Sequence, residues 1–355
     1  MSKQGTEKVL TKLKAAVDQK NFYEAHQMYH SLCQRYVKQA NYKAAVDLLH
    51  SGILTLLNAG NRKKQKNKNL PFPIDQNGSA FDLSQRLLEI FDQQKFPVTE
   101  ENKEILIEIF EFFSNDSNSK KDFAKLCIKW SSKYGKNKNG DPQLNHIFGN
   151  AFYSEGEFYL AEEFFVNGTD QSAKSFGKML YFWSKQVEEV DLGYFVARGV
   201  LQYLALFKTN QAHQLYEIFI KEIQNNENLE ELTLTSLSFD SKVNINEKSL
   251  TLFKSPLLNF TKFLLLCVER GEICMPSFIK INNEYKQNLT LYNEDAMKEE
   301  EKEDRFLNQL MSCVGENYFG LKVSKPVNPL QNMFNSLFSS PNSEAIESNE
   351  SMEMD

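Results

Sequence analysis

The chain is expected to be all-α, a right-handed α-solenoid of stacked helical hairpins of tetratricopeptide-like kind, with one small β-hairpin inserted near the C-terminal end. Three observations predict this. Residues 21 to 61 state one helical pattern twice, pairing Asn21 with Asn41, Phe22 with Tyr42, Ala25 with Ala45, His30 with His50 and Ser31 with Ser51. That offset, 20 residues, suits one helix plus its turn and is too long for one helical face. Apolar residues recur at helical spacing along most of the chain. With 15 Gly and 9 Pro in 355 residues, little interrupts helices, and 28 Phe with 14 Tyr supply apolar area for a core.

A first helix, about Glu7 to Gln19, aligns Val9, Leu10, Leu13, Ala16 and Val17 on one face. Asn21 then serves as N-cap of a second, whose stripe is Phe22, Ala25, Tyr29, Cys33, Tyr36 and Val37, and Asn41 opens a third in the same way. The basic run Arg62, Lys63, Lys64, Lys66 and Lys68 reads as a solvated loop after the opening repeat, with a steering patch for an acidic protein surface as the alternative. Further helices are expected over Ser79 to Gln93, Thr99 to Phe113 and Lys121 to Trp130, and another from Pro142, which suits the first helical position. The repeat returns at Gly156 to Phe165. From Phe22 to Phe158 the offset is 136, four periods of about 34, the period of tetratricopeptide-type hairpins. Gln171 to Lys185, Asp191 to Phe207 and Asn210 to Ile223 continue the series.

The period changes at Leu229 to Ser255. Here Leu232, Leu234, Leu237, Phe239, Val243, Ile245, Leu250 and Leu252 alternate with polar residues, which predicts a β-hairpin; a loop with stray apolar residues is the alternative. Helices resume at Pro256 to Val268, Met275 to Gln287 and Glu301 to Phe319, the last opened by acidic residues that suit a helix N-terminus. A short amphipathic helix is expected at about 329 to 338. From Ser339 the tail has five acidic residues and no Lys or Arg, and is expected to be disordered. The domain reading is therefore 1–150 as the N-terminal half of the solenoid, 151–320 as the C-terminal half with the hairpin at about 229–255, and 321–355 as tail.

A net charge of -6 and a pI near 5.6 argue against a general nucleic-acid or anionic-membrane binder, including a helical-repeat RNA binder. The five cysteines, Cys33, Cys127, Cys267, Cys274 and Cys313, are scattered among apolar neighbours without a C-x-x-C pair and read as reduced core thiols of a cytosolic protein. The N-terminal residues lack an apolar signal region, and the longest apolar run, Phe263 to Val268, is too short to span a bilayer. No direct membrane insertion is expected.

His26 and His30 stand at i, i+4 on one helix, the spacing of the metal ligands in H-E-x-x-H. Gln27 occupies the position of the general base, and an amide cannot take a proton from metal-bound water, so a metal hydrolase fails at its chemical step. Two surface histidines are the preferred reading. No phosphate-cradling G-x-x-x-x-G-K-[ST], no G-x-G-x-x-G and no G-x-S-x-G occurs. The expectation is a protein that is not an enzyme, with no catalytic residues, no cofactor and no metal, and with function on surfaces.

The stretch YEAHQMYHSLCQRYVKQANYKAAVDLLHSG resembles the opening of the Golgi-to-ER-traffic protein four family, the 35-kilodalton transmembrane-recognition-complex subunit. In order along the chain, the resemblance extends to Asp82-Leu83, Trp130-Ser131, Gly140-Asp141-Pro142, Gly156-Glu157-Phe158, Leu257-Leu258-Asn259-Phe260 with Leu264-Leu265-Leu266, and Tyr318-Phe319-Gly320. It implies a cytosolic scaffold of the guided-entry pathway for tail-anchored membrane proteins. In such a scaffold the N-terminal helices dock on a dimeric targeting ATPase. The C-terminal helices and inserted hairpin clasp a ubiquitin-like adaptor, which recruits a tail-binding co-chaperone. Carried over by position, the ATPase-facing candidates are Tyr23, Gln27, Arg35, Tyr36, Lys38 and Asp82, the last matching an acidic residue that restrains ATP hydrolysis. The insertion at about Arg62 to Gly78 is a departure from the family's short link and bears on the placing of Asp82. The adaptor clasp carries over as a region to Leu232, Leu234, Phe239, Val243, Ile245, Leu257 and Phe260. A helical-repeat interaction scaffold of another pathway is the alternative.

Overall fold

A computed structural model describes residues 3–66, 77–115, 117–187, 190–227, 232–238, 249–289 and 300–321. The described chain forms two compact units that divide between Ile147 and Phe148. The first contains α1 (Lys3–Asp18), α2 (Phe22–Lys38), α3 (Tyr42–Lys66), α4 (Asn77–Gln93), α5 (Glu100–Phe112) and α6 (Asn118–Tyr134); α7 (Pro142–Ser154) runs across the division. In the second are α8 (Phe158–Phe165), α9 (Asp170–Ser184), α10 (Leu192–Ala205), α11 (Thr209–Asn226), strands β1 (Thr233–Ser238) and β2 (Ser249–Phe253), α12 (Pro256–Arg270), α13 (Met275–Tyr285) and α14 (Glu300–Phe319). The expected all-α class and the expected hairpin are both present. The tail helix at 329–338 and the acidic end lie outside the described residues.

Several helices begin where a side chain supplies a cap. Asn21 and Asn41 accept from the backbone N–H groups of Glu24 and Ala44, so both copies of the opening repeat start alike. Thr99 caps α5, Ser117 caps α6 and Asp141 caps α7 ahead of Pro142. Many of the turns also end alike. Lys20, Ala40, Lys95, Gly156 and Phe207 all sit at positive φ, between 52° and 81°. The next residue donates back to a helical carbonyl five positions earlier: Asn21 to Ala16, Asn41 to Tyr36, Phe96 to Phe91, Glu157 to Phe152 and Lys208 to Tyr203, at 2.8 to 3.0 Å. This is a Schellman closure repeated between successive helices, and it reverses the chain within two or three residues.

In the first unit consecutive helices pack side by side, α1 on α2, α2 on α3 and α3 on α4, with α4 and α5 both touching α6. The repeat positions do what their pattern predicts: Phe22, Ala25, Tyr29, Ala45 and Leu49 are all buried. The stretch expected as a basic loop differs. Helix α3 continues through Arg62 to Lys66, and Asn77 and Gly78 already belong to α4. Lys and Arg are good helix formers, so a run of them extends an established helix as readily as it ends one.

The second unit is built around α10. Every residue from Gly193 to Ala205 is buried, because α9, α11, α12 and α14 surround it. A helix enclosed in this way has no face turned to solvent, unlike the two-sided helices of the first unit. Gly193 permits the closest approach: a Cβ there would lie 2.6 Å from the backbone nitrogen of Leu258. Strands β1 and β2 pair antiparallel, with Leu237 opposite Leu250 and Ser238 opposite Ser249. The pairs Thr233–Phe253 and Thr235–Leu252 leave Leu234 as an extra residue, a bulge in β1.

Candidate partner-binding sites

On α2 the positions carried over from the resemblance separate by helical phase. At about 100° per residue, Tyr23, Gln27 and Lys38 fall on the side opposite Ala25, Tyr29 and Leu32, while Arg35 flanks it. The structure agrees: Tyr23 is 79% exposed, Gln27 and Lys38 are exposed, and Arg35 is half-buried. Tyr36 is the exception. Its phase turns it toward the core side, and it is half-buried. Arg35 and Lys38 stand in the last turn, where positive charge is favoured by the helix dipole.

Asp82 lies on α4, and its carboxylate reaches α2. The Nε2 atoms of His26 and His30 stand 2.8 and 2.5 Å from the same oxygen, Asp82 Oδ2. The two imidazoles meet edge to face with ring centres 4.8 Å apart. Partial burial raises the affinity of the Asp82 carboxyl for its proton, but hydrogen bonds and charge from His30 and then His26 outweigh this and hold it below the ordinary carboxylate range. The acidic candidate and the two surface histidines, read separately in the chain, are thus one cluster.

The hairpin carries the second set of candidate residues. Leu234 is 63% exposed and Leu232 is half-buried. Phe239, Val243 and Ile245 lie outside the described residues. Leu257 and Phe260 correct the expectation: they are 1% and 0% exposed, in the core face of α12, and are not accessible to a partner. The leucine-rich stretch Leu257 to Leu266 has the spacing of a helix packed on α10, and its burial follows from that. The strand base is fixed by Asn259, which accepts from the Phe253 N–H and donates to the Phe253 carbonyl, each at 2.8 Å. Ser255 caps α12 and donates to Asp191, the cap of α10. The hairpin therefore projects from two anchored helix starts. Away from it, Ile273 is 89% exposed, and Met275 and Ile279 are also open to solvent.

No helix among the described residues is long and apolar enough to cross a membrane. Comparison with known proteins agrees with the resemblance in the chain. The family described as Golgi to ER traffic protein 4 matches residues 39–338. Golgi to ER traffic protein 4 of Aspergillus fumigatus is 30% identical over 89% of this chain and 85% of its own length. Golgi to ER traffic protein 4 homolog B of Xenopus laevis is 29% identical over 97% of this chain and 90% of its own. A crystal structure of C. therm. Get4 superimposes with a TM-score of 0.70 at 29% identity, covering 99% of each chain. With the family matched over most of its length and the fold matched nearly end to end, this chain belongs to the Golgi to ER traffic protein 4 family.

Proposed function

We propose that this chain is a cytosolic, non-enzymatic scaffold in the delivery of tail-anchored membrane proteins to the ER. It bridges a dimeric targeting ATPase, held by the first unit, and a ubiquitin-like adaptor, held by the second, and through the adaptor it brings a tail-binding co-chaperone to the ATPase. The observation that carries this reading is the family match over residues 39–338. The chemistry of the two surfaces supports it. The outward face of α2 is polar, with Tyr23, Gln27, Lys38 and the flanking Arg35 near the Asp82 cluster, and suits a contact made and broken repeatedly. Exposed Leu234 on an anchored hairpin suits a lasting apolar contact.

The test is co-purification of both partners with the Arg35→Glu/Lys38→Glu variant. The ATPase is expected to be lost, most of all at higher salt, while the adaptor stays bound. Loss of both partners, or retention of both, overturns the division of labour.

A further inference from the structure

We propose that His26, His30 and Asp82 form a three-ligand site for a zinc-class divalent cation. Their three ligand atoms all lie within 4.8 Å of one another, and both histidines aim the same nitrogen, Nε2, at one point occupied by Asp82 Oδ2. The i, i+4 spacing on α2 sets the pair, and α4 supplies the third donor from 52 residues along the chain.

The chemistry of the donors selects the ion. Two imidazoles and one carboxylate suit zinc and its neighbours rather than magnesium or calcium, which take oxygen sets. Zinc bonds to nitrogen and oxygen run to about 2.0–2.2 Å, so tetrahedral ligands stand roughly 3.3 Å apart. Reaching that value means opening the N–O separations of 2.8 and 2.5 Å and drawing the two Nε2 atoms together from the 4.8 Å that bounds the cluster, by rotation of the Asp82 side chain and of both imidazoles. The Asp82 side chain is 51% exposed and those of His26 and His30 are 14% and 28% exposed, so the ion enters from the Asp82 side. Water then fills the fourth position. Both Nε2 atoms become ligands, and each ring carries its proton at Nδ1. Gln27 offers no base beside the bound water, so the site binds without hydrolysing. The inference stands on this geometry alone and is independent of the ATPase reading.

The full chain is titrated with zinc by calorimetry, and with cobalt(II) while its visible spectrum is recorded. One zinc per chain is expected, with the intense visible bands of tetrahedral cobalt. His30→Ala and Asp82→Asn should each weaken binding by about tenfold or more, whereas His50→Gln, on the neighbouring repeat, should change nothing. Absence of zinc binding to the unaltered chain, or the faint spectrum of an octahedral all-oxygen cobalt site, overturns the proposal whether or not the variants fold. Unchanged affinity in both His30→Ala and Asp82→Asn also overturns it.

Discussion

Tyr29 packs so tightly on Gly52 that a Cβ at residue 52 would meet the ring atoms Cε1, Cδ1 and Cζ at 2.7, 2.8 and 2.9 Å. The relationship recurs in the second unit, where Phe165 lies against Gly149 with the nearest ring atom at 2.7 Å. Tyr29 and Phe165 occupy the same place in the repeat, 136 residues apart. The second aromatic of each copy is therefore seated on a glycine of a neighbouring helix. Gly52→Ala sets two effects against each other. Alanine favours a helix interior by about 1 kcal/mol, but overpacking a closed core costs roughly 1–3 kcal/mol. Tyr29 is 5% exposed and has little room to move, so the clash wins and the denaturant midpoint should fall. A midpoint that holds or rises shows that the ring gives way.

Ala40 closes α2 at a φ of 53°, a conformation that costs a residue with a Cβ about 1–2 kcal/mol. Gly156 does the same work at 81° without that cost. Ala40→Gly should raise stability by about 0.5–1 kcal/mol, since glycine returns part of the gain through its freer unfolded chain. Gly156→Ala should lose a similar amount in thermal unfolding. A fall with Ala40→Gly means that the turn is held by something other than its backbone closure.

These turns explain what the chain reveals and what it conceals. Helices with an apolar stripe and a side-chain cap were legible, because spacing and Asn21, Asn41 or Thr99 mark them locally. The Schellman turns carry lysine, alanine or phenylalanine at the left-handed position, so no glycine announces most of them. Likewise α3 runs through Gly60 and Asn61, which read as a stop, and the basic composition after them that reads as loop is equally good helix. At the candidate site the His26–His30 spacing is visible in the chain. Their meeting with Asp82 is a contact between helices, with no local trace. Leu257 and Phe260 show the converse: an apolar motif in a matched stretch marks core as readily as interface.

Glu162 and Arg198 form a buried ion pair between α8 and α10. The Arg198 Nε donates to both carboxylate oxygens, at 2.8 and 3.1 Å, and Gln202 donates to the same carboxylate. Arg198 is further enclosed by the rings of Tyr159, Trp183 and Phe306. Glu162→Ala removes the carboxylate that Arg198 and Gln202 share, and removing one partner of a buried pair costs about 3–5 kcal/mol. The chemical midpoint of the second unit should drop accordingly. Replacing both residues by apolar ones of similar size should restore most of the loss. A loss that persists in the double variant assigns the stability to the cage rather than the pair.

Leu234 separates stability from binding at the hairpin. It is the bulged residue of β1, left without a partner in the register and 63% exposed, so its side chain supports little of the fold. Leu234→Asp should therefore move the melting temperature hardly at all, as surface changes stay within about 0.5 kcal/mol. If the adaptor covers this leucine, the same change forfeits the burial of one large apolar side chain, about 1.5–3 kcal/mol. That corresponds to roughly a ten- to hundredfold loss of affinity at 1.4 kcal/mol per decade. Phe260→Asp should do the opposite: Phe260 is fully buried, so the second unit unfolds and binding disappears with the fold. Gel filtration with the adaptor, read beside thermal unfolding of each variant, distinguishes the two. Full co-elution of the adaptor with a folded Leu234→Asp chain removes the hairpin from the contact and turns attention to exposed Ile273 and its neighbours on α13.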